Sequence, residues 1–146
     1  MNSIEKIREI LRERIVQKSL LNEHLIAVYL FGSLVKGKEK IKSDIDLAFV
    51  FDDTFYKTDP FTALQEAEIL AVEMGKEIQR VVDVVVLNGA SLSFAYHTLK
   101  EGKCIYEGNT SVRILYEVAL DNKYHDFMPF IKELREAKRR ALIGRD

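Results

Sequence analysis

The 146-residue chain has the length of a single domain, and its 47% hydrophobic and 31% charged residues are typical of a soluble globular protein. The net charge of -1 provides no overall attraction to nucleic acid, so we expect no direct nucleic-acid binding. Cys104 is the only cysteine, which excludes an internal disulfide and fits a reducing compartment. The charged N-terminus does not resemble a signal peptide, and no apolar run reaches the roughly 18 residues of a membrane span. We therefore expect a cytoplasmic protein without membrane contact.

The first half of the chain alternates between helical and extended patterns. Residues 3–22 carry an apolar stripe at helical spacing and predict one amphipathic helix. The apolar run Leu25 to Phe31 predicts a strand covered on both faces, and Asp44 to Phe51 predicts a second strand. Asp52 and Asp53 follow that strand and are interpreted as solvated turn residues.

The next pattern predicts a helix that starts at Asp59-Pro60, with the aspartate as N-cap and the proline in the first helical position. It extends to about Gln79, and a third strand follows from Val81 to Leu87. The residues expected on the buried face of this helix are Phe61, Leu64, Ala67, Ala71, Met74 and Ile78.

The last part of the chain reads as mostly helical. Ser91 or Ser93 caps a helix that runs to about Lys100, and a short edge strand follows over 103–106. From Thr110 onward the helical pattern returns, and Pro129 predicts a break or kink near residues 121–126.

The densest polar motif joins the first two strands. Gly32-Ser33 ends the first strand, and after ten further residues Asp44 and Asp46 open the second. Side chains two apart on a strand share a face, so the two carboxylates repel each other unless a cation such as Mg²⁺ lies between them. A glycine followed by a small hydroxyl can hold a phosphate closely. This layout indicates phosphoryl or nucleotidyl transfer; the alternative is an acidic turn that happens to precede a strand.

Asp83 is the only polar residue in the third predicted strand. Gly32 and Asp46 meet if the first two strands run antiparallel, and a helical crossover then makes the second and third strands parallel. This topology places Asp83 beside Asp46. The alternative is an edge-strand aspartate that faces water.

The motif of Gly32-Ser33 and Asp44-x-Asp46 resembles the signature of the polymerase β-like nucleotidyltransferase superfamily, and the short chain resembles its minimal nucleotidyltransferase (MNT) branch. The resemblance implies an α/β (α+β) fold, with a small mixed sheet flanked by helices. It implies one domain over residues 1–146, made of a nucleotidyltransferase core to about 107 and a helical C-terminal extension over 108–146.

The resemblance also implies roles for individual residues. Asp44, Asp46 and Asp83 correspond to the catalytic and metal-binding carboxylates, which hold Mg²⁺, two ions in the usual arrangement, with ATP as substrate. The remaining implied residues are those that contact the nucleotide phosphates: Gly32, Ser33 and Lys36. The family often has an arginine where Lys36 stands, so the charge is kept while the two-pronged hydrogen bonding is lost.

Within the branch, the chain resembles the MntA-type antitoxins of HEPN–MNT toxin–antitoxin pairs. This resemblance implies transfer of AMP from ATP to a tyrosine hydroxyl of a partner HEPN ribonuclease toxin. Two alternatives remain open: a nucleotidyltransferase with a small-molecule acceptor such as an aminoglycoside, and an antitoxin that neutralises its partner by stoichiometric binding.

The C-terminal segment is a candidate surface for that partner. Its aromatic residues are Tyr116, Tyr124, Phe127 and Phe130, and its basic residues include Arg135, Lys138, Arg139 and Arg140. Aromatic side chains are enriched at interfaces, and such basic side chains are seldom fully buried. The alternative is that Phe127 and Phe130 pack the last helix onto the sheet.

Overall fold

The computed structural model describes residues 3–32, 35 and 44–144, which form a four-stranded mixed sheet with helices on both faces. The helices are α1 (Ser3–Val16), α2 (Ser19–His24), α3 (Asp53–Thr58), α4 (Pro60–Ile78), α5 (Leu92–Glu101) and α6 (Thr110–Ile143). The strands are β1 (Leu25–Phe31), β2 (Ile45–Phe51), β3 (Val82–Val86) and β4 (Lys103–Glu107), with a 3-10 turn at Leu87–Gly89. Within the described ranges, no helix combines the length and the apolar character needed to cross a bilayer.

The sheet has the topology that the sequence predicts. Its strand order is β3-β2-β1-β4, with β1 and β2 antiparallel and β2 and β3 parallel. The parallel pairing follows from the crossover through α3 and α4, because parallel neighbours need a long connection between them. β4 forms the edge beside β1, as expected for the segment 103–106.

The two faces of the sheet bury separate apolar clusters. On one face Ile45, Leu47 and Phe49 pack with residues of α1 and α4. On the other face Ala48 and Val50 pack with residues of β1 and α5, and α6 adds partly buried contacts. The central strands are therefore apolar on both faces, which explains why β1 and β2 lack the polar alternation of a half-exposed strand.

The predicted single helix over 3–22 is wrong, because the chain breaks between α1 and α2. Lys18 is extended there, with φ -113° and ψ 99°. Its Nζ lies 3.0 Å from Glu73 of α4, and Arg14 lies 3.2 Å from the same carboxylate. The turn brings Leu21, at the start of the path into β1, fully into the core. An apolar stripe alone does not reveal such a reorientation.

Asp52 is a capping residue rather than a solvated turn residue. Its carboxylate accepts a hydrogen bond from the backbone N–H of Phe55 at 2.8 Å and so caps α3, a helix that the sequence analysis did not predict. The other carboxylate oxygen lies 2.9 Å from Nδ1 of His24. Asp53 is the first residue of α3 and remains exposed.

Helix α4 begins as predicted, since the Asp59 carboxylate accepts from the backbone N–H of Thr62 at 3.0 Å. The placement of Phe61 and Leu64 on its buried face is wrong, because they are 73% and 44% exposed. The buried positions are Ala63, Ala67, Leu70, Ala71 and Met74. These follow the same helical period, displaced around the axis, so Phe61 and Leu64 lie outside the core while Ala63 is buried in it.

A break near residues 121–126 is also wrong, because α6 continues through Pro129, whereas a kink there stays a prediction. A proline removes one backbone hydrogen bond, and packing around it offsets part of that cost. One turn before it, Tyr124 stacks on Tyr96 of α5 with ring centroids 3.8 Å apart, and Met128 is buried. Phe127 and Phe130 are 50% and 58% exposed, so these residues do not pack the last helix onto the sheet.

A polar network fixes the first half of α6 against the sheet. Tyr29 of β1 is almost completely buried, and its hydroxyl donates to Glu117 at 2.6 Å. Arg113 donates to Glu117 at 2.7 Å and also to Glu107 of β4. The buried hydroxyl depends on this carboxylate, because a buried donor without an acceptor is costly.

We expect Glu117→Ala to lower the free energy of unfolding by about 1–3 kcal/mol, because it leaves the Tyr29 hydroxyl buried without an acceptor. In a Tyr29→Phe background the same change should cost less, since the donor is already absent. Urea unfolding of both single variants and the double variant gives the coupling energy. Glu136→Ala, which removes an exposed ion pair with Arg139, is the control and should change stability by less than about 0.5 kcal/mol. Additive losses at Tyr29 and Glu117 would contradict this account.

Candidate active site

The candidate site lies at one end of the sheet, where β1 ends and β2 and β3 begin. Phe31 pairs with Asp46 across the antiparallel strands, and Asp46 pairs with Asp83 across the parallel strands. Asp44 lies exposed just before β2. The structure thus brings Gly32 together with all three predicted carboxylates, Asp44, Asp46 and Asp83. The other two predicted residues, Ser33 and Lys36, lie outside the described residues.

Side-chain alternation explains why the carboxylates share one face. Ile45 and Leu47 belong to the cluster under α1 and α4, so Asp46 between them points to the opposite face, which α5 and α6 cover. On β3, Val82 and Val84 pack against the same cluster as Ile45 and Leu47. Asp83 therefore projects to the same face as its register partner Asp46.

Gly32 is in direct contact with this site. Its φ is +82°, in the left-handed region that side chains rarely adopt. A Cβ built on it would lie 2.3 Å from Oδ2 of Asp46. The backbone of Gly32 therefore approaches the Asp46 carboxylate as closely as only a glycine permits. The predicted meeting of Gly32 and Asp46 is thus confirmed, and the approach of a phosphate to Gly32 stays a prediction.

The three carboxylates influence one another electrostatically. Desolvation raises the pKa of Asp46, and the charges of Asp83 and Asp44 raise it further. Desolvation also raises the pKa of Asp83, as do a hydrogen bond to Asp44 and its charge. Asp83 is exposed on an edge strand, as the water-facing alternative expects, yet it interacts with the other two carboxylates. Negative charge therefore accumulates in this corner of the sheet.

The chemistry of these donors fits a magnesium site that the nucleotide completes. In the part of the chain that the structure describes, no three His, Cys, Asp or Glu side chains are arranged to hold a metal ion by themselves. Mg²⁺ usually takes one or two carboxylates together with substrate phosphates, so an arrangement completed by phosphate is compatible with this finding. The raised pKa values of Asp46 and Asp83 show that the corner would be stabilised by a cation.

Phe94 is a further neighbour of the site and is not among the residues predicted from the sequence. Its ring meets the ring of Phe31 edge-on with centroids 6.1 Å apart, and it is 42% exposed. Since Phe31 is the register partner of Asp46, an aromatic side chain with free surface adjoins the site. The N-cap Ser91, which accepts from the Phe94 N–H at 3.2 Å, fixes where α5 begins. No motif signals this contact, because it depends on how α5 crosses the sheet.

Comparison with solved structures shows matches along nearly the whole chain. One is a crystal structure described as a toxin–antitoxin with AMP-PNP, at 26% identity over 98% of this chain and 97% of that chain, with a TM-score of 0.61. Another is a toxin–antitoxin MntA–HepT structure, at 26% identity over 97% and 93%, with a TM-score of 0.54. A third is a tri-AMPylated Shewanella oneidensis HEPN toxin in complex with MNT antitoxin, at 24% identity over 94% and 96%, with a TM-score of 0.55.

Comparison with curated protein sequences gives no significant match. The family model described as polymerase beta, nucleotidyltransferase matches residues 5–111, which include every strand of the sheet and the whole candidate site. That range covers most of the 146 residues. The chain belongs to the polymerase beta nucleotidyltransferase family.

Proposed function

We propose that this protein is an antitoxin that transfers AMP from ATP to a tyrosine hydroxyl of a partner HEPN ribonuclease toxin, in a magnesium-dependent reaction. The observation that carries the proposal is the register of Asp46 with Asp83 beside the tight backbone of Gly32. The neighbour with AMP-PNP supports a nucleotide substrate, and the neighbour with a tri-AMPylated HEPN toxin supports a protein acceptor.

Asp44, Asp46 and Asp83 would hold the Mg²⁺ ions, which would neutralise charge on the phosphates and on the attacking and leaving oxygens. Gly32, Ser33 and Lys36 would contact the triphosphate. The acceptor oxygen would attack the α-phosphorus of ATP as the bond to the β-phosphate breaks, and pyrophosphate would leave with the bonding electrons. The protein contributes positioning and charge rather than a covalent nucleophile.

Asp83 is suited to the acceptor side of this reaction. It is exposed, whereas Asp46 is partly buried beside Gly32, so an incoming hydroxyl reaches Asp83 first. Asp83 would therefore orient the hydroxyl and take its proton, while Asp46 remains on the nucleotide side.

A second candidate, stoichiometric neutralisation, is favoured by the exposed apolar side chains of the second half of α6. Phe127, Phe130 and Leu134 are spaced by three and four residues, so they form one stripe, and Leu134 is 53% exposed. Soluble monomers rarely expose contiguous apolar stripes without a binding role. Arg139 and Arg140 lie further along the same helix and are exposed. Binding through α6 and catalysis at the sheet are compatible in one protein.

We predict that Asp46→Asn abolishes AMP transfer and raises the melting temperature of the metal-free protein by roughly 2–4 °C at pH 7. The first effect follows from the lost metal ligand, and the second from relief of repulsion with Asp83 and Asp44. Transfer of label from ATP to the toxin, followed in parallel with calorimetry, tests both effects. Near-normal transfer in the variant would remove Asp46 from the site.

The same variant has a predictable pH dependence. A carboxyl with a raised pKa in the folded state destabilises the fold at pH values above its ordinary pKa of about 3.8, and this penalty disappears when both states are protonated. The stability gain of Asp46→Asn should therefore be full at pH 7 and vanish at about pH 3. Mg²⁺ with ATP should reduce the gain at pH 7 by stabilising only the wild type. A gain that is independent of pH would point to a cause other than charge.

Gly32→Ala should reduce transfer by about two orders of magnitude, because its Cβ would displace the Asp46 carboxylate from a position 2.3 Å away and force a side chain into positive φ. Steady-state kinetics with ATP measures this loss. Gly108→Ala is the matched control, since its Cβ would meet the backbone oxygen of Leu25 at 2.8 Å, at the end of β1 opposite to Gly32. The control should lose stability and keep its activity per folded molecule. Equal kinetics in both variants would show that Gly32 is only structural.

The α6 stripe is tested by Phe130→Ser combined with Leu134→Ser, which should weaken binding of the HEPN partner by tenfold or more. Val16→Ser, which alters a residue 63% exposed on α1, should leave binding unchanged. Charge reversal of Arg139 and Arg140 should weaken binding at low salt and have little effect at high salt. Binding measured by calorimetry that is insensitive to all these changes would exclude α6 from the interface.

A further inference from the structure

Strand β3 forms one edge of the sheet and carries Asp83 of the candidate site. In the described part of the chain, β3 pairs only with β2. The backbone N–H of Ile45 donates to the carbonyl of Val81 at 2.9 Å, which sets the hydrogen-bonding phase of the pair. Because this phase alternates along a strand, Val82, Val84 and Val86 direct their N–H and C=O groups away from β2. Such an edge is a template for a further extended strand.

An apolar groove runs along the same edge on the face that carries α4. It has a volume of about 430 Å³ and is lined by Pro60, Phe61, Leu64, Val84, Val86 and Gly89, among others. Phe61 is 73% exposed there, although α4 buries five other side chains against the sheet. The apolar residues at the start of α4 that are not buried in the core therefore line the space beside β3.

The two faces of the edge differ in chemistry. The groove is lined by Val84 and Val86 on the α4 face and also by Val85, which belongs to the other face. Asp83 projects to that other face together with Asp46 and does not line the groove. A strand added to β3 would place its side chains alternately on these two faces. If one residue of the added strand lies beside Asp83, the side chains of the residues one and three positions from it, in one direction along that strand, would enter the groove.

We propose that the β3 edge binds the acceptor as an extended polypeptide segment. This segment pairs with the backbone of Val82, Val84 and Val86, and its apolar side chains insert beside Phe61 and Leu64. Its hydroxyl-bearing residue then lies next to Asp83. We choose an extended polypeptide as the occupant because the outward-facing backbone donors and acceptors of an edge strand are complementary to another extended backbone. Continuity with Asp83 places the segment at the reacting end of the site. The inference rests on the proposed function and adds the mode of acceptor recognition.

The probe is a short fluorescent peptide with a central tyrosine and valines one and three positions from it on both sides. Binding is measured by anisotropy with magnesium and α,β-methylene ATP, whose α–β bond is not cleaved, so that affinity is separated from turnover. A second peptide of the same composition has its valines moved to the tyrosine face. A third peptide has the sequence of the first and carries N-methyl groups on every second backbone amide. It is made in two versions, one methylated on the odd-numbered amides and the other on the even-numbered amides.

The first peptide should bind at least about tenfold more tightly than the second, and one N-methylated version should lose binding while the other keeps it. Phe61→Ser with Leu64→Ser should weaken binding by a similar factor and leave nucleotide affinity unchanged. The matched control is Ile69→Ser with Val72→Ser, which removes two exposed apolar residues of α4 outside the groove and should change neither affinity.

Four outcomes would overturn the inference. The first three are no saturable binding up to about 1 mM peptide, equal binding by all the peptides, and no effect of the groove variant. A fourth is that the wild type forms a dimer in sedimentation which Phe61→Ser with Leu64→Ser dissociates, since a second copy would then occupy the edge. Failure of the proposed function looks different: magnesium-dependent nucleotide binding, measured by calorimetry without peptide, would be absent.

Discussion

Repulsion among three carboxylates is the constraint on which the functional end of this molecule depends. The sheet register fixes Asp46 opposite Asp83, and Asp44 lies within hydrogen-bonding reach of Asp83. Desolvation and like charge both oppose the ionisation of Asp46 and Asp83. The fold tolerates this arrangement because β2 is buried on both faces and supplies apolar packing from Leu47 to Phe51. The apolar packing of β2 thus offsets the repulsion among carboxylates that a cation and a phosphate chain could relieve.

The sequence predicted which residues meet at this end of the sheet because these residues are linked by short-range rules. Alternation along a strand places Asp44 and Asp46 together, and the helical crossover determines that β2 and β3 are parallel, which brings in Asp83. The structure agrees with the predicted strand directions. The close approach of Gly32 to Asp46 follows from the antiparallel pairing of Phe31 with Asp46. Each of these steps depends on backbone geometry more than on particular side-chain contacts.

The predictions that were wrong depended on tertiary contacts. The orientation of α4 around its axis is decided by where the sheet ends, so the period was right while Phe61 and Leu64 were placed on the wrong face. The break after α1 is tied to ion pairs of Lys18 and Arg14 with α4, which no local pattern contains. The continuity of α6 through Pro129 coincides with the stacking of Tyr124 on Tyr96 from another helix. Local propensity yields to such contacts when they are numerous enough.

Asp83 also bears on the solubility of the edge that carries it. β3 reads VDVVV, so this carboxylate is its only charge, and apolar edge strands without a charge tend to pair with other chains. The exposed Asp83 carboxylate thus discourages indiscriminate pairing of this edge. Because its pKa is raised, Asp83 loses this charge at a higher pH than an ordinary aspartate as the solution is acidified. The proposed proton transfer at Asp83 and the protection of its edge therefore depend on the same ionised group.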